Sequence, residues 1–109
     1  MKQYFINKND LKNSSKIEGV TIKSVYLNNV MVTYMDFEPF SKIPLHKHVH
    51  EQISHVLKGK VEMLINGEKK ILYPGDFAVI PSGIEHEAVI FEDFTTIIDS
   101  WSPIREDYK

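Results

Sequence analysis

The 109-residue chain contains no cysteine. Disulfides, thiolate nucleophiles, iron–sulfur clusters and cysteine-ligated zinc are therefore excluded. Neither sign of charge is in excess. Thirteen Lys and Arg stand against 15 Asp and Glu, a net charge of -2, which gives no footprint for nucleic acid or an anionic membrane. No apolar run is long enough to span a bilayer. The N-terminus, MKQYFINKND, is too polar for the core of a signal peptide. A soluble, cytoplasmic protein is the expectation. Amphipathic helices are missing too, and an α/β fold would need them between its strands. Only a turn near Asn9 to Ser15 reads as helical. There is no repeat, low-complexity tract or linker. With 42% hydrophobic and 26% charged residues, the chain suits one domain, 1–109, with a real core.

What is present is strand after strand. VTIKSVYL (20–27) and VMVTYMDF (30–37) are rich in β-branched and aromatic residues, with Asn28-Asn29 as a turn between them. KVEMLI (60–65) and KKILY (69–73) flank Asn66-Gly67, a two-residue hairpin signal because both residues tolerate positive φ. FAVI (77–80), EAVIF (87–91) and FTTIIDSW (94–101) follow, separated by turns. Turn signals every eight to twelve residues predict an all-β sandwich or small barrel.

Four of the five histidines lie in PLHKHVHEQISHVLKGK (44–60). Strict alternation would put His46, His48, His50 and Gln52 on one face of a strand. An extended chain from His46 to Gln52 spans roughly 20 Å, too far for one shared ion. Either these residues share no site, or the chain bends over Val49-His50-Glu51. With a bend, His46 and His48 form a pincer at one strand end, and Gln52 starts the next strand. The bland alternative is a solvated loop, but imidazoles this dense favour metal binding. His86, just past the Pro81-Ser82-Gly83 turn, is poised to face inward from a strand start.

The segment resembles the first cupin motif, H-x-H, three residues, an acid, six residues, Gly, through His46, His48, Gln52 and Gly59. The second motif, G-x5-P-x-G-x2-H, is matched by Gly75, Pro81, Gly83 and His86. Three positions depart: Phe40 replaces an opening glycine, Ile90 a closing asparagine, and Gln52 the usual glutamate. The resemblance implies an antiparallel β-barrel or double-stranded β-helix, a jelly-roll-like sandwich. It also implies one divalent ion held by His46, His48, Gln52 and His86. An all-neutral ligand set leaves the ion its full charge. Nickel, zinc, iron, cobalt, copper and manganese suit such donors. His50 falls outside that set, as a hydrogen-bonding neighbour or a solvated residue. His55 is expected on the other sheet face or at a subunit contact.

In FTTIIDSWSPIREDYK, alternation puts Ile97, Asp99 and Trp101 on one face of the last strand. An inward carboxylate is costly unless paired or functional. The bland reading has Asp99 cap a strand end or pair with Arg105, and makes Trp101 core. However, the run Asp-x-aromatic-x-Pro-x-Arg-Glu-Asp, with His-x-His-x-His-Glu-Gln and a short Phe5-Ile6-Asn7 strand, is similar to the KdgF-like pectin-degradation cupins. That resemblance implies opening of a 4,5-unsaturated monouronate, from pectin or alginate breakdown, to a linear 4-deoxy-5-keto acid. It casts Asp99 as the proton-moving group, Arg105 as the carboxylate fork and Trp101 as a platform for the sugar. The glutamine ligand is a feature of the same group. A sugar-acid-binding cupin without turnover and a cupin oxygenase are the competing readings. The first usually carries a DNA-binding domain, absent from this sequence; the second usually keeps the glutamate. A homodimer is expected from the exposed sheet edges.

Overall fold

The computed structural model describes residues 3–109; Met1 and Lys2, part of the polar N-terminal stretch, lie outside the described residues. Nine strands follow a short 3-10 turn at Lys8–Asp10: β1 Val20–Tyr26, β2 Met31–Phe37, β3 Lys42–His46, β4 Glu51–Lys58, β5 Val61–Ile65, β6 Glu68–Leu72, β7 Phe77–Ile80, β8 His86–Ile90 and β9 Thr95–Ser102. A second 3-10 turn, Glu106–Tyr108, ends the chain. All pairings are antiparallel. They build a five-stranded sheet, β1-β2-β9-β4-β7, and a four-stranded sheet, β3-β8-β5-β6. The expected all-β sandwich is what the chain forms. Among the described residues, no helix is long and apolar enough to cross a membrane.

Strand alternation fixes the interior. Along β2, Met31, Thr33, Met35 and Phe37 are buried, and the residues between them are only partly so. Along β4, Gln52, Ser54 and Val56 point in. Ile22, Val56, Val61, Ile80, Ile90 and Ile97 make an apolar centre between the sheets. Burying each such side chain contributes about 1.5–3 kcal/mol. Asn66-Gly67 takes positive φ at both residues, 50° and 81°, so the β5–β6 hairpin closes as its sequence predicts.

The two packing departures from the cupin pattern have local answers. Phe40 occupies the left-handed region, φ 63°, where the glycine would have been free of strain; its backbone N–H donates to Phe91 O at 2.8 Å. Ile90 is core, 1% exposed. Two expectations need correction. The helical turn starts earlier than Asn9 and ends at Asp10, because the Asn7 side chain caps it by accepting from the Asn9 N–H. Phe5-Ile6-Asn7 forms no strand. Among the described residues it has no ladder partner, and Phe5 is 89% exposed. A strand needs a neighbour for its N–H and C=O groups, and β1 pairs only with β2.

Candidate metal and active site

The chain bends where the histidine spacing requires it. β3 ends at His46, residues 47–50 form a loop, and β4 begins at Glu51. A register shift between Ile43 and His46 re-aims the end of β3. His46 lies opposite His86 of β8 in the four-stranded sheet. His48 reaches in from the loop. The ligand atoms of His46, His48 and His86 all lie within 4.8 Å of one another. Gln52 joins from the facing sheet, with Oε1 3.1 Å from His48 Nε2.

The tautomers follow from chemistry. Each Nδ1 faces a backbone carbonyl: His46 to Pro44 O at 2.7 Å, His48 to His50 O at 3.0 Å, His86 to Ile84 O at 2.9 Å. A carbonyl only accepts, so each Nδ1 must carry the proton and donate it. In a neutral ring so fixed, Nε2 is the bare lone pair. His86 Nε2 is buried with no partner, and His48 Nε2 faces another acceptor, Gln52 Oε1. Two lone pairs at 3.1 Å repel unless a cation lies between or beside them. Burial keeps His48 below its ordinary pKa and lowers His86 to about 4, so both stay neutral at pH 7. Neutral imidazoles fixed by Nδ1 donors are what a transition ion needs. The donor set therefore fits a divalent ion.

Beside it lies a buried acid. Asp99 of β9 is 3% exposed, between Thr33 of β2 and Ser54 of β4 in the sheet register. Gln52 Nε2 donates to Asp99 Oδ2 at 3.2 Å and to Ser54 Oγ at 3.2 Å. Among the described residues Asp99 Oδ1 has no partner. Burial pushes the Asp99 carboxyl up to about 7, against the Ser54 and Gln52 hydrogen bonds and the Arg105 charge. The simple Asp99–Arg105 pair is not formed. Arg105 bonds Asp107 instead, Nε to Oδ1 at 3.1 Å and Nη2 to Oδ2 at 2.7 Å. Trp101 is 3% exposed, with Nε1 donating to Thr33 Oγ1 at 2.9 Å. Its ring lies 5.0 Å from the Arg105 guanidinium and 5.4 Å from the His48 ring.

Two spaces meet here. An inner cavity of about 30 Å³ is lined by His46, Gln52, His86, Asp99 and Trp101, among others. That is room for a single ion or water. An outer cleft of about 310 Å³ is lined by Ser14, Lys16, Arg105 and Tyr108, among others. That is the small end of ligand sites, suited to a monosaccharide. His46, Ile43 and Tyr108 line both spaces. Sequence reasoning missed Ser54 and Thr33. The period-two rule from Gln52 points to Ser54, but nothing local points to Thr33. His55 stacks on Phe77 at 4.3 Å on the outer face, away from the site. His50 gives its carbonyl to His48, while its own Nδ1 is buried without a partner.

A cupin-domain family profile matches residues 33–93. The chain belongs to the cupin family. It is 31% identical over 110 residues to the pectin degradation protein KdgF of Dickeya dadantii, covering 99% of each chain. Among solved structures it is similar to KdgF from a Halomonas species, with TM-score 0.87 and 32% identity over 98% of each chain. An RmlC-like cupin from Shewanella frigidimarina superposes with TM-score 0.91 at 25% identity, covering 99% of this chain and 97% of that one.

The metal site carries a direct expectation. His46→Ala with His48→Ala should abolish binding of one ion per chain. His55→Ala should leave it intact. Elemental analysis of protein purified without added metal, and titration of the stripped protein with zinc or nickel, would measure both. Ion binding by the double variant equal to wild type would remove these residues from the site.

Proposed function

We propose that this cupin opens 4,5-unsaturated monouronates, the products of pectin or alginate lyases, to linear 4-deoxy-5-keto acids. The observation that carries the reading is a carboxyl buried beside three converging imidazoles, with a monosaccharide-sized cleft alongside. All four buried side-chain atoms without a partner among the described residues belong to His50, His86, Asp99 and Arg105. Unmet hydrogen-bonding capacity is expensive, and its concentration in one place marks a site built for a ligand. The similarity to KdgF proteins, whose name assigns them to pectin degradation, supplies the substrate class.

The reaction is an isomerisation and needs no co-reactant. A proton leaves the anomeric hydroxyl as C1 becomes an aldehyde, the C1–ring-oxygen bond breaks with its electron pair going to that oxygen, and the resulting enolate gains the proton at C4 while C5 becomes a ketone. Asp99 is the group that moves the proton; near pH 7 it can both take and return one in a turnover. Arg105 holds the substrate carboxylate. Trp101 backs Arg105. An ion held by His46, His48, Gln52 and His86 would supply Lewis-acid stabilisation of the developing oxygen charge. Incubation of the metal-loaded protein with an unsaturated monouronate, following loss of enol-ether absorbance against the spontaneous rate, tests the reading. No acceleration, with binding retained, would leave a sugar-acid-binding cupin.

We also propose a homodimer. The outward face of the five-stranded sheet presents Ile53 (47% exposed), Leu57 (45%), Phe77 (60%) and Val79 (65%). Among the described residues, no helix lies over them. An apolar sheet face can pack on its own copy about a two-fold axis, as sheets pack in sandwiches. Ile53→Glu with Val79→Glu should convert a dimer to a monomer in light scattering. A wild type that runs as a monomer would end the idea.

A further inference from the structure

The Arg105 guanidinium is restrained on three sides. Tyr108 lies against it at 4.1 Å and Trp101 at 5.0 Å. Asp107 closes its Nε–Nη2 edge with two parallel hydrogen bonds, 3.1 and 2.7 Å. The turn that carries Asp107 and Tyr108 is itself tied down, since Ser14 and Ser24 both donate their hydroxyls to Tyr108 O. The side chain is only 12% exposed, whereas the Asp107 side chain is 60% exposed. What remains is Nη1, buried and without an acceptor among the described residues. A guanidinium presents its five N–H groups as a fixed fork. With one edge taken, the end-on Nη1–Nη2 edge is left for a ligand.

We propose that Asp107 is a positioning residue that sets Arg105 so that its end-on edge receives the carboxylate of a sugar acid. The inference rests on the reading of the cleft as a sugar-acid site and deepens it. Two effects of Asp107 oppose each other, and the sign of their sum decides. As a bare negative charge near the site, Asp107 repels an anionic ligand, and its removal would tighten binding. As a clamp, it removes the freedom of the guanidinium before the ligand arrives, and its removal would weaken binding. As a surface ion pair only, with its carboxylate largely solvated, it would matter little either way. The rings, the paired bonds and the unpartnered Nη1 favour the clamp.

The test is titration calorimetry on the metal-loaded protein with D-glucuronate, a saturated acid that cannot react, and with D-glucose. Wild type should bind glucuronate and prefer it strongly to glucose. Asp107→Ala should weaken glucuronate binding on the order of 10-fold, the loss expected when a charge-assisted pair is no longer pre-aligned. Asp107→Glu should recover most of that loss. On an unsaturated uronate, Asp107→Ala should raise KM with kcat nearly unchanged. Equal or tighter glucuronate binding by a folded Asp107→Ala protein overturns the inference, as does wild type without glucuronate binding. The two readings fail separately. A wild type without turnover that shows this binding pattern loses the ring-opening reaction but keeps the clamp. Turnover with the wild-type KM in Asp107→Ala does the reverse.

Discussion

Asp99→Asn is expected to remove turnover by on the order of 100-fold or more, with metal content unchanged. Asparagine still accepts from the Gln52 amide but cannot move a proton. The same variant should not lose stability, which separates it from a structural acid. The folded chain holds the Asp99 proton up to about 7, while an unfolded aspartate releases it near its ordinary 3.8. Between those values the folded state binds more protons than the unfolded one. Stability contributed by this group is therefore greatest at low pH and falls as pH rises through that window. Asparagine does not titrate. Metal-free Asp99→Asn should thus gain on metal-free wild type from pH 4 to pH 7, then hold the gain at pH 8. Paired thermal melts and metal analyses across that range would measure it. A variant that melts lower at pH 8 and retains residual activity in proportion to its folded fraction would make Asp99 structural.

Much of this arrangement is legible because strand geometry is strict. The bend between His46 and Gln52 follows from a distance that an extended chain cannot bridge, and the loop at 47–50 supplies it. Alternation puts Ile97, Asp99 and Trp101 on one face of β9, and all three are buried. Asn66-Gly67 closes its hairpin for a reason written in two residues. What could not be read locally is register. Thr33, Asp99 and Ser54 form a polar row across three strands, although 66 positions separate the first two. Nothing in the spacing of β2 against β9 fixes that match; it arises from hydrogen bonding between strands distant in sequence. The Arg105–Asp107 pair was hidden differently. Sequence proximity offers Asp99 as the partner of Arg105. The terminal turn brings Asp107 to the same guanidinium at a lower desolvation cost, because its carboxylate stays largely in water. Asp99 is left without an ion-pair partner, and burial raises its pKa against the weaker pull of the Arg105 charge.

Gln52→Glu tests why an amide stands where most cupins keep an acid. The side chain has two ends with different tasks. Oε1 points toward His48 Nε2, and Nε2 donates to Asp99 Oδ2 and Ser54 Oγ. A glutamate could supply the first and not the second. It would hold a cation more tightly, since it brings a charge the neutral donors lack. It would also set a second carboxylate against Asp99 at the same 3.2 Å contact. Two acids that close cannot both ionise easily, so the pair would share a proton and Asp99 would lose its independent titration. The expected result is equal or tighter zinc binding by calorimetry, together with turnover reduced on the order of 10- to 100-fold, the range set by disabled acid–base catalysis. The pH profile should move as well, its acid–base limb displaced to higher pH because a neighbouring negative charge raises a carboxyl. An ammonium side chain at this position, Gln52→Lys, should instead block the ion. If Gln52→Glu turns over at the wild-type rate with an unshifted profile, the hydrogen bond from Gln52 to Asp99 has no part in the reaction, and the glutamine serves the ion alone.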